Sequence, residues 1–132
     1  MLSVAESKGI QSDLIPKIAT GFCSGISRTC GICGAVSGAI MVLNLFYGRS
    51  LPGESIETCY TTVQKLTDMF EIKFGSTNCK QLIGCDLGTE EGQDTFKSNN
   101  LIEQCRNYTE EVTRMVMTII EETSHNNQSQ ST

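Results

Sequence analysis

The chain has 132 residues, 39% of them apolar, and ten basic against fifteen acidic side chains give it a net charge of −5. A domain of this length buries about two thirds of the surface its unfolded chain exposes. The charges are spread without long blocks and no basic patch carries interleaved aromatics, which argues against a nucleic-acid partner. The N-terminus, MLSVAESKGIQSDL, lacks the basic start, apolar core and cleavage site of a signal peptide. The longest apolar run, Ile32 to Tyr47, falls short of the ~20 residues that cross a bilayer, and Ser37, Asn44 and Tyr47 interrupt it. A cytoplasmic protein that is not membrane-embedded is expected.

Residues 1–10 read as a short helix with Leu2, Val4 and Ala5 as apolar positions, ended by Gly9. Ser12 is an N-cap for a second helix in which Pro16 sits near enough to the start to be tolerated. Leu14, Ile15, Ile18, Ala19 and Phe22 share one face of that helix, expected to be buried. Gly21–Arg28 reads as a glycine-bearing loop leading to Cys30.

From Cys30 to Gly48 the chain reads as a buried central helix with a thiol at its entrance. Gly34, Ala35, Gly38 and Ala39 fall on one face. Each glycine within a helix costs about 1 kcal/mol relative to alanine. Two on one face imply that something must come close to the backbone: a helix, a second copy in a homodimer, a bound group or another cysteine's sulfur. Past the break at Gly48–Gly53, a helix from Glu54 or Ser55 to about Phe74 carries a stripe of Ile56, Cys59 or Tyr60, Val63, Leu66, Phe70 and Phe74. Gly75 and Ser76 stop it. Asn78–Ile83 is a short turn holding Cys79, a short helix lies around Glu90–Lys97, and a last helix runs from about Leu101 to Glu122. Residues 124–132 contain no apolar side chain and read as a disordered polar tail after a single domain of residues 1–123. Alternating β patterns are absent. The expected fold is all-α, a bundle of about five helices around the Gly/Ala-rich one.

Seven cysteines, an odd number, fit a reducing compartment better than a disulfide scaffold and point to metal ligation or redox chemistry. The one histidine, His125, lies in the tail, which removes most His-based zinc sites and any Cys–His nucleophile in the core. Cys33 stands at a helix start, where free N–H groups and the positive dipole end favour a thiolate. The competing reading makes it a small buried hydrophobe. Cys30-x-x-Cys33 lacks the preceding strand of thioredoxin-like motifs, and Cys79 and Cys85, five residues between them, do not supply the second pair of a zinc site. Their spacing allows both sulfurs to face one pocket. Cys105 and Cys59 each fit an apolar stripe. No carboxylate pair and no activated serine argues for a hydrolase or kinase.

Cys33-Gly34-Ala35-Val36-Ser37-Gly38, then Tyr47-Gly48, Phe74-Gly75-Ser76, Cys79, Leu82-Ile83-Gly84-Cys85-Asp86-Leu87 and Cys105 resemble a family of small redox-active proteins named for its cysteine pattern, C_GCAxxG_C_C. The likeness spans roughly residues 10–120. The resemblance implies redox activity through cysteines, and a similar domain occurs in split-Soret cytochromes with an associated iron–sulfur cluster. By position, Cys33, Cys79 and Cys105 match three of the family's four cysteines and Cys85 a frequent additional one. The family's first cysteine lies in an upstream helix. Either Cys23 or Cys30, where relatives usually have glycine, supplies that sulfur, or the site is altered or the chain begins short of it.

The expectation is therefore a redox-active protein, an oxidoreductase or electron carrier, gathering Cys33, Cys79, Cys105 and Cys85 in one pocket with Cys30 as partner of Cys33. Gly34 and Gly38 would let the sulfurs, or a cofactor they hold, approach the central helix. Thiol–disulfide exchange and an iron–sulfur cluster or other metal bound by Cys33, Cys79, Cys85 and Cys105 share this geometry, and a redox partner protein is implied. The alternative is a non-catalytic structural or zinc-binding helical interaction domain.

Overall fold

Glycines and capping side chains cut the chain into helices largely where its sequence implies. The computed structural model describes residues 1–130, which form seven right-handed helices in one all-α bundle with no strand. Helices α1 (Leu2–Ser7) and α2 (Leu14–Ala19) are short, and Gly9, at φ +74°, turns the chain between them. Helix α3 (Gly34–Tyr47) is the centre of the bundle and packs against α4 (Glu57–Phe74) and α7 (Ile102–Gln130). Between those two come α5 (Cys79–Ile83) and α6 (Glu90–Ser98).

The core lies where α3, α4 and α7 meet. Val36, Val42 and Leu43 from α3, Leu66 and Phe70 from α4, and Val116 and Ile119 from α7 are fully buried. Phe70, Phe74 and Tyr108 close one end as an aromatic cluster, with Phe74 edge-on to Tyr108 at 4.9 Å between ring centres. Burying aromatics of this size supplies a large share of the folding free energy.

Two helix boundaries and the burial of α2 differ from the sequence reading, and one open choice is resolved. Helix α4 begins at Glu57 because the Glu54 carboxylate accepts hydrogen bonds from the backbone N–H groups of Ser50 and Leu51, which holds Glu54 in the preceding loop. Cys59, not Tyr60, takes the buried place on its stripe, and Tyr60 is exposed. Helix α7 continues through Gln130 where a tail was expected after residue 123. Within it Thr123 and Ser124 donate hydroxyl hydrogen bonds to Ile119 and Ile120 one turn back, and no glycine or proline stops the helix. The remaining residues of that expected tail, 131 and 132, lie outside the described ones. On α2 only Ile15 is buried, while Leu14 and Ile18 stand exposed, as does Phe22 just beyond it. That helix lies at the bundle's edge, where one apolar residue per turn suffices.

The largest departure is at Cys23–Arg28. A short 3-10 turn, Thr20–Phe22, leads into it, and the backbone then coils in the left-handed sense, with Ser24, Gly25, Ile26, Ser27 and Arg28 all at positive φ. Each non-glycine residue in that region costs about 1–2 kcal/mol, so the turn persists only because its surroundings hold it. The Ser27 hydroxyl donates to the Gly21 carbonyl at 2.8 Å, the Gly31 N–H to the Gly25 carbonyl at 3.0 Å, and the Ser37 hydroxyl to the Phe22 carbonyl at 2.9 Å.

Candidate functional site

Two short pieces of backbone bring the first pair of cysteines together. Ile32 and Asn78 form an isolated antiparallel bridge, flanked by Cys33 N–H to the Thr77 carbonyl at 2.7 Å and Cys79 N–H to the Gly31 carbonyl at 2.9 Å. Side chains alternate across such a bridge, so Cys33 and Cys79 share the face opposite Ile32 and Asn78. Diagonal neighbours of this kind stand roughly 7–8 Å apart. Asn78 locks the junction twice. Its carbonyl oxygen caps α5 by accepting the Gln81 N–H at 3.1 Å, and its amide donates to the Cys30 carbonyl at 2.6 Å.

Cys33 is thereby the N-cap of α3 and Cys79 the first residue of α5, both buried. The left-handed turn covers them. A Cβ at Gly25 would lie 2.6 Å from the Cys79 Cβ and 3.1 Å from its sulfur, so only glycine fits under that thiol. Helix α7 contributes Cys105, half-buried, with Tyr108 and Thr109 on the same face one turn on. The Tyr108 hydroxyl donates to the Leu82 carbonyl at 3.0 Å, which ties that face to α5.

Cys33, Cys79 and Cys105 line one cavity of about 380 Å³, walled by Leu82, Leu87, Phe96 and Ile102. Cys85, just past the glycine that ends α5, is buried outside the lining, yet its charge acts on both Cys79 and Cys105. Burial first, then the thiols of Cys33, Cys105, Cys85 and Cys30, push the Cys79 thiol up to about 11. Burial, then Cys33 and Cys85, also raises Cys105.

Cys30 lies outside the cavity lining. Its thiol donates to the Asp86 carboxylate, which raises the thiol and holds Asp86 below the usual carboxylate range, helped by the Gly88 N–H at 2.8 Å. Cys23 is exposed and Cys59 donates to the Asn44 side-chain oxygen at 3.3 Å on the far side of α3. All seven cysteines are free thiols.

The glycine face of α3 receives this chain's own backbone rather than another sulfur. A Cβ at Gly34 would stand 3.2 Å from the Cys23 Cα and 3.3 Å from the Ser24 nitrogen, and Gly38 faces Met1. Gly34 borders the cysteine cavity, whereas Gly38 does not reach it. Thiolates are the right donors for an iron–sulfur cluster or zinc. As placed, however, they do not fit one: among the described residues no three His, Cys, Asp or Glu side chains group closely enough to hold a metal ion. The expected ligands Cys33, Cys79, Cys85 and Cys105 share a region without forming a coordination shell.

Sequence reasoning missed Arg28 and Lys97, which border the cavity, and Asn78, which builds the junction. Asn before a short helix is a capping signal, so Asn78 was findable. Nothing local marks the two cations.

The family model C_GCAxxG_C_C, described as "Putative redox-active protein", matches residues 1–119. The chain belongs to this family. The C_GCAxxG_C_C match begins at residue 1, ahead of the likeness read from about residue 10, and it ends inside α7. No curated protein and no solved structure matches the chain. Among the described residues no helix is long and apolar enough to cross a membrane.

Proposed function

We propose that this C_GCAxxG_C_C protein is a thiol–disulfide oxidoreductase whose working thiols are Cys33, Cys79 and Cys105. One observation carries the reading: three cysteines, drawn from the entrance of α3, the start of α5 and the first turn of α7, line a single cavity. Random core filling would scatter them, as it does Cys59.

Cys33 is the attacking group, because it caps α3 and lines the cavity, whereas Gly25 covers Cys79. Its sulfur attacks a partner disulfide and forms a mixed disulfide, and the other half leaves as a thiolate. Cys79, on the same face of the bridge, then attacks the Cys33 sulfur and releases the second half. Two electrons pass from the protein dithiol to the partner, and the two thiol protons leave with its halves. An internal disulfide needs α-carbons within about 7 Å, so the bridge must close slightly as it forms. A reducing cytoplasm suits the cycle, and a disulfide-bearing protein is its natural partner.

Protein purified without oxygen should contain no stoichiometric iron or sulfide, lose two thiols per chain on mild oxidation and regain them on reduction. A brown, iron-bearing sample would transfer the reading to cluster-based electron transfer. A thiol titre that does not change reversibly, with Cys33→Ser altering only stability, would leave a structural domain.

A further inference from the structure

The chain carries a net charge of −5, yet its cysteine cavity has no carboxylate. The only charged side chains bordering it are Arg28 and Lys97, and neither is ion-paired among the described residues. They come from unrelated elements, Arg28 from the end of the left-handed turn and Lys97 from the last turn of α6. The wall near the thiols is apolar, built by Leu82, Leu87 and Phe96. Of the other basic side chains, Lys65, Lys73, Lys80, Arg106 and Arg114 are matched to carboxylates, and Lys8, Lys17 and Arg49, also without an ion pair among the described residues, do not border the cavity. A cleft with walls of one sign focuses its field and concentrates counter-charged ligands.

We propose that the cavity takes a carboxylate-bearing organic disulfide, seated with its S–S bond at Cys33 and its carboxylates on Arg28 and Lys97. This rests on the exchange reading above and adds the substrate class to it. The chemistry is the same two-step exchange. Cys33 sulfur displaces one carboxylate-bearing thiolate, Cys79 displaces the second, and the oxidant departs as two thiols. The cations lie close enough to the thiols to border the same cavity, so they hold the anionic halves while the sulfurs react and do not themselves exchange protons.

The test uses three disulfides of similar size and different charge: 3,3′-dithiodipropionate, 2-hydroxyethyl disulfide and cystamine. Each oxidation rate of the reduced full-length protein is divided by that of a free small thiol at the same pH, which removes the probe's own reactivity. The anionic probe should then exceed the cationic one on the order of ten-fold. Raising the salt to about 1 M, where the screening length falls to about 3 Å, should erase most of that ratio in the unmodified chain. Arg28→Gln with Lys97→Gln should collapse the ratio towards one, while Cys33→Ser abolishes rapid oxidation by all three. A ratio near one that neither salt nor the double variant changes would overturn the substrate class while leaving exchange intact. Failure of every probe to oxidise the chain would remove the exchange reading and this inference with it.

Discussion

Replacing Gly25 with alanine probes the seat of the Cys79 thiol directly. Gly25 is buried at φ +63°, and the added methyl would lie 2.6 Å from the Cys79 Cβ, closer than two carbons can stand. Holding alanine in the left-handed region costs about 1–2 kcal/mol. Overfilling a packed site adds about 1–3 kcal/mol, for a combined loss of roughly 2–5 kcal/mol. With a urea slope of about 1–3 kcal/mol per molar, the unfolding midpoint should drop by about 1 M or more. Gly75→Ala is the control. Gly75, at φ +84°, closes α4 and has nothing within 4 Å of its would-be Cβ, so only the backbone cost applies. Urea unfolding followed by circular dichroism on both variants separates the two contributions. If Gly25→Ala cost no more than Gly75→Ala, the turn would not lie over Cys79 as described, and the architecture of the cavity would be wrong.

Stability should also depend on alkaline pH. Burial and neighbouring thiols raise Cys79 from 9.0 in the unfolded chain to about 11 in the fold, which favours the protonated thiol in the native state. Its contribution is complete below pH 9 and is lost as pH rises through 11, with a slope of at most about 1.4 kcal/mol per pH unit for one proton. Cys79→Ala should flatten that decline in a pH series of urea midpoints, and an unchanged slope would contradict the assignment. Phe70→Ala removes a fully buried ring between α4 and Tyr108 and should cost about 3–5 kcal/mol by the same denaturation assay. Asn78→Ala deletes the cap of α5 and the amide bond to the Cys30 carbonyl, a loss of roughly 1–3 kcal/mol. It should also slow oxidation of the Cys33 and Cys79 thiols in a timed thiol titration, since the bridge that aligns them is weakened.

The bundle was legible because its governing signals are local. Apolar spacing around Leu66 and Phe70, a stop at Gly75 and the bare first turns of α3 each speak for their own segment. The grouping of Cys33 with Cys79 and Cys105 was expected only through the family pattern, because residues so far apart in the chain leave no local trace of their meeting. What escaped was long-range or strained. The sequence GFCSGISR offers glycines at 21 and 25, which say nothing of a left-handed coil running through Ser24, Ile26, Ser27 and Arg28. That coil exists because Gly31, Ser37 and Gly34 accept it, and those contacts lie beyond any sequence window. The small face of α3 was read as room for a helix, a second copy, a bound group or a sulfur, whereas backbone from residues 22–24 fills it at Gly34. Cys30 and Cys33 look like a pair on paper. Only Cys33 lines the cavity, while Cys30 interacts with Asp86.

Peptide mapping after gentle oxidation of the native protein reports most directly on whether separate segments share one thiol site. The account predicts linkages confined to Cys33, Cys79 and Cys105, reversed by reductant, with Cys59 always recovered as a free thiol. Recovery of Cys33 unlinked, or joined to Cys59, would contradict it.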